Sequence, residues 1–328
     1  MRYIVLALCM VSLNFTIQGH GNYSARYEEA YGELLAMLEK KKPLSLRRGV
    51  FMAEWAYLDG NLDYERDFCH PIKEGANYMK RLIRANKWEK YKTSKQIALC
   101  NFFFYPCSGN RQTPFRYDFD NQDEDDWGRQ LVSATLKTHK GQCHSMPWAY
   151  MLYAEELGAD VSIAHAPRHC FIMYKDLDDL FPEDWVNVEV TAQQYQSSFW
   201  IKQHFEITDE AIASGTYLSP LTREQTIACQ LADLAFGYWK KCGKYDDFTL
   251  KCANKALEYY MMNPTAIIIK TRSLEAILLN HLKMNGGYKD KFTDSIDHQL
   301  RQCIIDLEAT HWTPETEERR KKWSNNKK

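Results

Sequence analysis

The sequence predicts an α+β protein dominated by helix. Three observations carry this. Gly 15 and Pro 10 among 328 residues are fewer than a turn-dense all-β fold needs. Apolar residues recur at three- and four-residue spacing before residue 60 and after residue 222, the period of a buried helical face. Between them, residues 161–190 hold three short runs of β-formers. Hydrophobic residues at 45% and aromatics at 13% supply packed cores and exclude global disorder. Lys+Arg 42 against Asp+Glu 43, a formal net charge of −1, excludes a nucleic-acid binder working through bulk positive charge. At ~100–200 residues per domain the length suggests about two domains.

Arg2 followed by the apolar run Tyr3 to Leu13, 11 residues, is too short for a bilayer, which takes about 20. It fits a signal peptide over 1–21, cleaved after Gly21 in the small-x-small step Gly19-His20-Gly21. The mature chain is then expected to be exported, periplasmic or extracellular, with no transmembrane segment.

A helical N-terminal region follows over 22–125. Tyr27, Ala30, Tyr31, Leu34, Leu35 and Leu38 share one helical face; Pro43 ends that helix, Ser45 caps a second and Gly60 ends it. Residues 72–98 read as a further helical stretch rich in Lys and Arg, and 105–126 as a polar loop. The acidic run from Asp118 to Asp126 lacks the central Gly and terminal Glu of an EF-hand, so it reads as a solvated loop.

A separate region follows over 126–206, and within it residues 141–192 change character. A short helix runs from Asp126 to Lys137. Cys143 to Leu157 reads as a helix with Pro147 near its first turn and Gly158 as its stop. Val161–Ala166, Cys170–Tyr174 and Trp185–Val190 read as strands. From 207 to 316 the chain is helical again: Thr222 with Gln225 signals a capping box, and Gly243 to Pro264 resembles a degenerate tetratricopeptide unit as closely as an ordinary helical hairpin. Residues 317–328 form a charged tail.

Ten cysteines are present, and cleavage would leave nine. Cys100 and Cys107 are the most plausible local disulfide; most other thiols are expected to be buried. No CxxC, HExxH, Gly-rich phosphate loop or Gly-x-Ser-x-Gly occurs, so neither metal nor cofactor is expected.

One constellation suits thiol chemistry. A nucleophilic sulfur must be a thiolate, and the unpaired N–H groups at a helix start favour that form. Gly141-Gln142-Cys143 places a thiol there, with its own N–H available to an oxyanion. His169 stands at the start of a strand as a base. In the strand from Trp185, period-2 alternation turns Val186, Val188 and Val190 to a core and Asn187, Glu189 and Thr191 the other way. Glu189 would orient the imidazole if the two strands pair.

Residues 139–192 resemble the transglutaminase-like, papain-like core. The matching positions are Gly141-Gln142-Cys143, His169-Cys170-Phe171-Ile172, and Trp185-Val186-Asn187-Val188-Glu189-Val190-Thr191, against a family signature of Gly-Gln-Cys, His before an apolar strand, and Trp-x-x-x-Asp-x-Thr. The resemblance implies a catalytic triad of Cys143, His169 and Glu189 acting on amides or thioesters through an acyl-enzyme. Glu189 departs from the usual Asp, and His144 from the common aromatic. Candidates for oxyanion or substrate contacts are Gln142, Trp127, Trp148 and Arg168. The expected protein is an exported thiol hydrolase or acyltransferase acting on a peptide or isopeptide amide. The alternative is a non-catalytic transglutaminase-like, tetratricopeptide-like module that binds a protein partner through its C-terminal helices.

Overall fold

The computed structural model describes residues 20–121 and 126–312. The apolar leader, apart from its last two residues, and the charged tail lie outside the described residues. The chain combines helices with small sheets, as the α+β expectation requires. No described helix is long and apolar enough to cross a membrane.

Helix α1 (His20–Leu38) and helix α2 (Leu46–Tyr57) pair across a short connection. The Ser45 hydroxyl accepts from the Arg48 N–H at 3.3 Å and caps α2. Residues 72–98 are not one helix. A π-helical turn, Tyr64–Cys69, leads into helix α3 (His70–Ala85); helix α4 (Ser94–Phe104) follows after a break. The break is at Lys87, in the left-handed region at φ 54, where a continuing helix cannot pass.

The stretch from Asp126 to Lys137 is likewise divided, into a 3-10 turn over Trp127–Gln130 and helix α5 (Val132–Thr138). The reason is tertiary. The Glu54 carboxylate of α2 accepts the Val132 N–H at 2.5 Å and the Ser133 N–H at 2.9 Å, capping α5 from a distant helix. Burial pushes the Glu54 carboxyl from an ordinary 4.5 up to about 7, against the opposing pull of Ser133 and Val132. A folded pKa raised in this way binds a proton that the unfolded chain releases, so its stabilising effect is complete below the ordinary value and lost as pH rises through the folded one. Urea melts are expected to show stability falling from about pH 5 to about pH 8, and Glu54→Gln should flatten that slope while weakening the cap.

Strand β1 (Arg116–Tyr117) pairs in parallel with strand β2 (Lys140–Gly141). This two-residue ladder, unforeseen in the sequence, ties the polar loop to the segment before Cys143. Helix α6 (Ser145–Leu157) packs against α2, α3, α4 and α5 and stops at Gly158, left-handed at φ 69.

Strands β3 (Ser162–Ala166), β4 (His169–Lys175), β5 (Trp185–Glu189) and β6 (Gln194–Gln196) form an antiparallel meander in that order. The first three fall where the β-formers cluster. Both faces of the sheet are covered. Ile163, Ile172, Tyr174, Val186, Val188 and Val190 enter the main core with α6. Ala164, Ala166, Phe171 and Met173 face a second core with Ile201 of helix α7 (Ser198–His204), Phe205 just past its end, and Ala211 of helix α8 (Asp209–Ala213). Each fully buried Val contributes ~1.5–3 kcal/mol, so the valine stripe fixes which way β5 faces.

Helix α9 (Arg223–Cys242) starts at the Thr222–Gln225 capping box read from the sequence. It packs on α1, α2 and helix α10 (Asp247–Tyr259), which packs on helix α11 (Pro264–Met284), and α11 on helix α12 (Lys291–Ala309). Asn263 caps α11, with Pro264 at its first position. The main core draws on all three regions of the chain.

The nine described cysteines are free thiols. This corrects the expected Cys100–Cys107 bridge: Cys100 instead contacts the Tyr150 hydroxyl at 3.4 Å within the core. Asp118 also departs from the solvated-loop expectation. It is buried, and holds the Arg129 guanidinium through two bonds of 2.9 and 2.7 Å.

Candidate active site

Cys143 lies in the turn before α6, two residues ahead of Ser145. The hydrogen-bond ladder of the helix begins earlier, because the Gln142 carbonyl accepts the Met146 N–H at 3.0 Å. The thiol therefore sits in the first turn in the sense that matters for the exposed N–H groups.

Gly141 shapes this turn by its size. It is not in the left-handed region, so its backbone conformation is open to any residue. A Cβ at this position would stand 2.5 Å from the Thr135 hydroxyl and 2.6 Å from that of Ser145. Those two hydroxyls bond each other at 2.8 Å, and Ser145 also accepts the Gln142 N–H at 3.2 Å.

His169 opens β4 directly after the β3–β4 turn, in which Arg168 is left-handed at φ 57. Glu189 closes β5. The β4–β5 register sets Ile172 opposite Val188 and Met173 opposite Asn187. His169 and Glu189 thus occupy the same face of the sheet. Their side chains meet at 2.5 Å, His169 Nε2 to Glu189 Oε2. The Cys143 side chain is also within hydrogen-bonding reach of the ring and favours its charged form. Cys143, His169 and Glu189 are therefore linked in series.

The extra methylene of Glu189 has a visible use. Its second oxygen, Oε1, accepts the Thr191 hydroxyl at 2.5 Å and the Thr191 N–H at 3.2 Å. Burial would lower the His169 pKa, but the Glu189 charge and the Cys143 bond prevail and hold it up at about 10. Burial alone would raise the Glu189 carboxyl; the His169 charge and the Thr191 bonds lower it below its usual value. The pair is thus charged at neutral pH. The ring of Phe205, which caps the end of α7, stacks on His169, centroids 4.8 Å apart and 17° from parallel.

His169 and Glu189 are buried, whereas Cys143 is half-buried, with its sulfur 3.8 Å from the Arg168 carbonyl. Burial raises the thiols of Cys100, Cys170, Cys229 and Cys252 well above the usual range, so those sulfurs are protonated at neutral pH.

The remaining site candidates fare differently. The Gln142 side chain turns away and donates to the Asn121 carbonyl, buried in the fold; it is not placed as an oxyanion donor. Trp148 is buried on α6 and Trp127 packs against Phe236 of α9 at 4.8 Å. Both line a cavity beyond His144 rather than the space in front of the sulfur. Arg168 presents its backbone carbonyl to the thiol, and the residue is exposed. A concavity lined by Met37, Lys40 and Leu44 contains no residue of the series. Among the described residues no cluster of three or more His, Cys, Asp or Glu is arranged to hold a metal.

Two neighbouring histidines differ in charge. His144 forms an ion pair with Asp233 of α9, Nε2 to Oδ1 at 3.2 Å. That contact is close enough for attraction but is not aligned as a hydrogen bond. His165, next to Tyr260, is pushed down to about 4 by burial and is neutral. Sequence reasoning missed Asp233, Glu54 and Phe205, which lie far along the chain from Cys143. Thr191 carried a signal, the Glu-x-Thr spacing at the end of a strand. No family model, curated protein or solved structure matches this chain.

Proposed function

We propose that the chain is a thiol hydrolase or acyltransferase with a transglutaminase-like core, acting on peptide or isopeptide amides through Cys143, His169 and Glu189. The observation that carries this reading is the linked series of thiol, imidazole and carboxylate, with only the sulfur half-exposed. The arrangement of Cys143 at a helix start, with His169 and Glu189 on adjacent antiparallel strands, supports it further.

In this reading the Cys143 thiolate attacks the amide carbonyl carbon and forms a C–S bond. The Cys143 backbone N–H, at the first turn of α6, stabilises the oxyanion. The C–N bond breaks, and the departing amine takes the His169 proton. Water, or an acceptor amine, then attacks the thioester and gives its proton to His169, releasing the acyl product and restoring the sulfur. Glu189, itself held by Thr191, keeps the ring oriented and supports its positive charge. Export fits an extracytoplasmic peptide substrate and belongs to the same proposal.

The test is alkylation by iodoacetamide at neutral pH with peptide mapping. Cys143 should react selectively, and His169→Ala should slow its modification by about tenfold or more. A Cys143 no more reactive than the other thiols, and indifferent to His169→Ala, would instead favour a non-catalytic binding module.

A further inference from the structure

The pair beside the nucleophile has no part in the series just described. His144 follows Cys143 directly. Its Nδ1 lies 3.4 Å from the Gln130 carbonyl and its Nε2 3.2 Å from the Asp233 carboxylate. Both neighbours present acceptor oxygens, and the Asp233 carboxylate lies close enough to attract a positive charge on the ring, so the surroundings favour the charged imidazole. The carboxylate is itself oriented, since Gln230 Nε2 donates to the other oxygen, Oδ2, at 3.2 Å. The Trp127 indole packs over the ring at 5.1 Å. Trp127, Trp148, Glu54 and Tyr57 line the same cavity as His144 and Asp233.

We propose that Asp233 is a positioning residue that keeps His144 as a second cation within coulombic reach of the Cys143 sulfur, so that two imidazolium ions rather than one favour the thiolate. This rests on the acyl-transfer reading and extends it to α9, a helix outside the strand-bearing region. The charged and titratable groups around His144 are Cys143 in its own turn, Asp233 on α9, Glu54 and Tyr57 on α2, and His165 on β3. His165 is neutral, and Glu54 is turned to the N–H groups of α5, so Asp233 is the dominant partner. Burial opposes the His144 charge, but Asp233 outweighs it and holds the ring pKa at about 9. His144 thus stays charged through neutral pH and is discharged in alkali.

Asp233→Asn removes the counter-ion, and burial then drives His144 neutral. The Cys143 alkylation rate should fall about tenfold at pH ~6.5. It should converge with the wild-type rate near pH ~10, where His144 is uncharged in both. Asp233→Glu should restore most of the rate at low pH. With a substrate, kcat should fall and KM hold. A merely structural pair would lower the melting temperature without this pH-dependent gap.

If wild-type Cys143 is selectively reactive and lost in His169→Ala, but the Asp233→Asn profile superimposes on wild type, the pair has no such role and the acyl-transfer reading stands. If wild-type Cys143 reacts as an ordinary thiol, that reading falls and takes this proposal with it. Should Asp233→Asn fail to fold, nitrogen NMR of His144 in the wild-type protein decides. Two protonated ring nitrogens at pH ~7.5 are expected; a neutral ring overturns the proposal.

Discussion

Cys143→Ala is expected to abolish turnover, lowering kcat on any amide the wild-type protein cleaves by about 10⁵-fold. Profiling both proteins against peptide and glutamine-amide libraries checks this and identifies the substrate. Alanine removes a half-exposed sulfur whose neighbours are polar, so the fold should be intact. Retained turnover in Cys143→Ala would eliminate the thiol mechanism. Glu189→Gln is the informative companion, with an expected loss of about 10²–10⁴-fold. The amide can still accept one bond but carries no charge. The buried His169 ring then follows its desolvation and gives up its proton at lower pH. In the wild type the ring is held charged up to about pH 10, so the variant's activity should decline earlier as pH rises. Glu189→Asp tests the side-chain length. One methylene shorter, the carboxylate cannot serve both His169 and Thr191, and an intermediate loss is expected.

Gly141→Ala should produce the largest structural effect near the site. The added methyl meets the Thr135 and Ser145 hydroxyls and, at 2.9 Å, Met146 Cγ. These belong to α5 and α6, so neither helix can give way independently. The clash costs about 1–3 kcal/mol, and breaking the buried hydroxyl pair adds about 1 kcal/mol or more. A melting temperature lower by about 3–6 °C follows for a chain of this size. The same displacement moves the turn bearing Cys143, and a shift of about 1 Å at the nucleophile is enough for a roughly 10²-fold loss of kcat. An unchanged melting curve would mean that the turn has slack the packing does not show.

Ser45, Gly158, the Thr222–Gln225 box and the valine stripe of β5 were legible because each acts within a few residues. A cap satisfies its own helix end, and a strand shows its buried face by alternation. The same logic put Glu189 and His169 on strands, and the antiparallel pairing of β4 with β5 brought them together. Long-range causes had no such mark. The division of α5 from the turn before it depends on Glu54, 78 residues away. The inward turn of Gln142 depends on the Asn121 carbonyl.

The sequence by itself therefore determined the helices that carry their own caps and stops, the strands β3, β4 and β5, the order of thiol, imidazole and carboxylate along the chain, and the face of β5 that carries Glu189. Only the tertiary structure decided that the thiols of Cys100 and Cys107 stay apart, that Gly141 is needed for space rather than for its φ, and that Asp233 meets His144. The physical reason is range: hydrophobic period and capping are written in neighbouring residues. Steric room and charge pairing depend on which distant surfaces the buried core brings into contact.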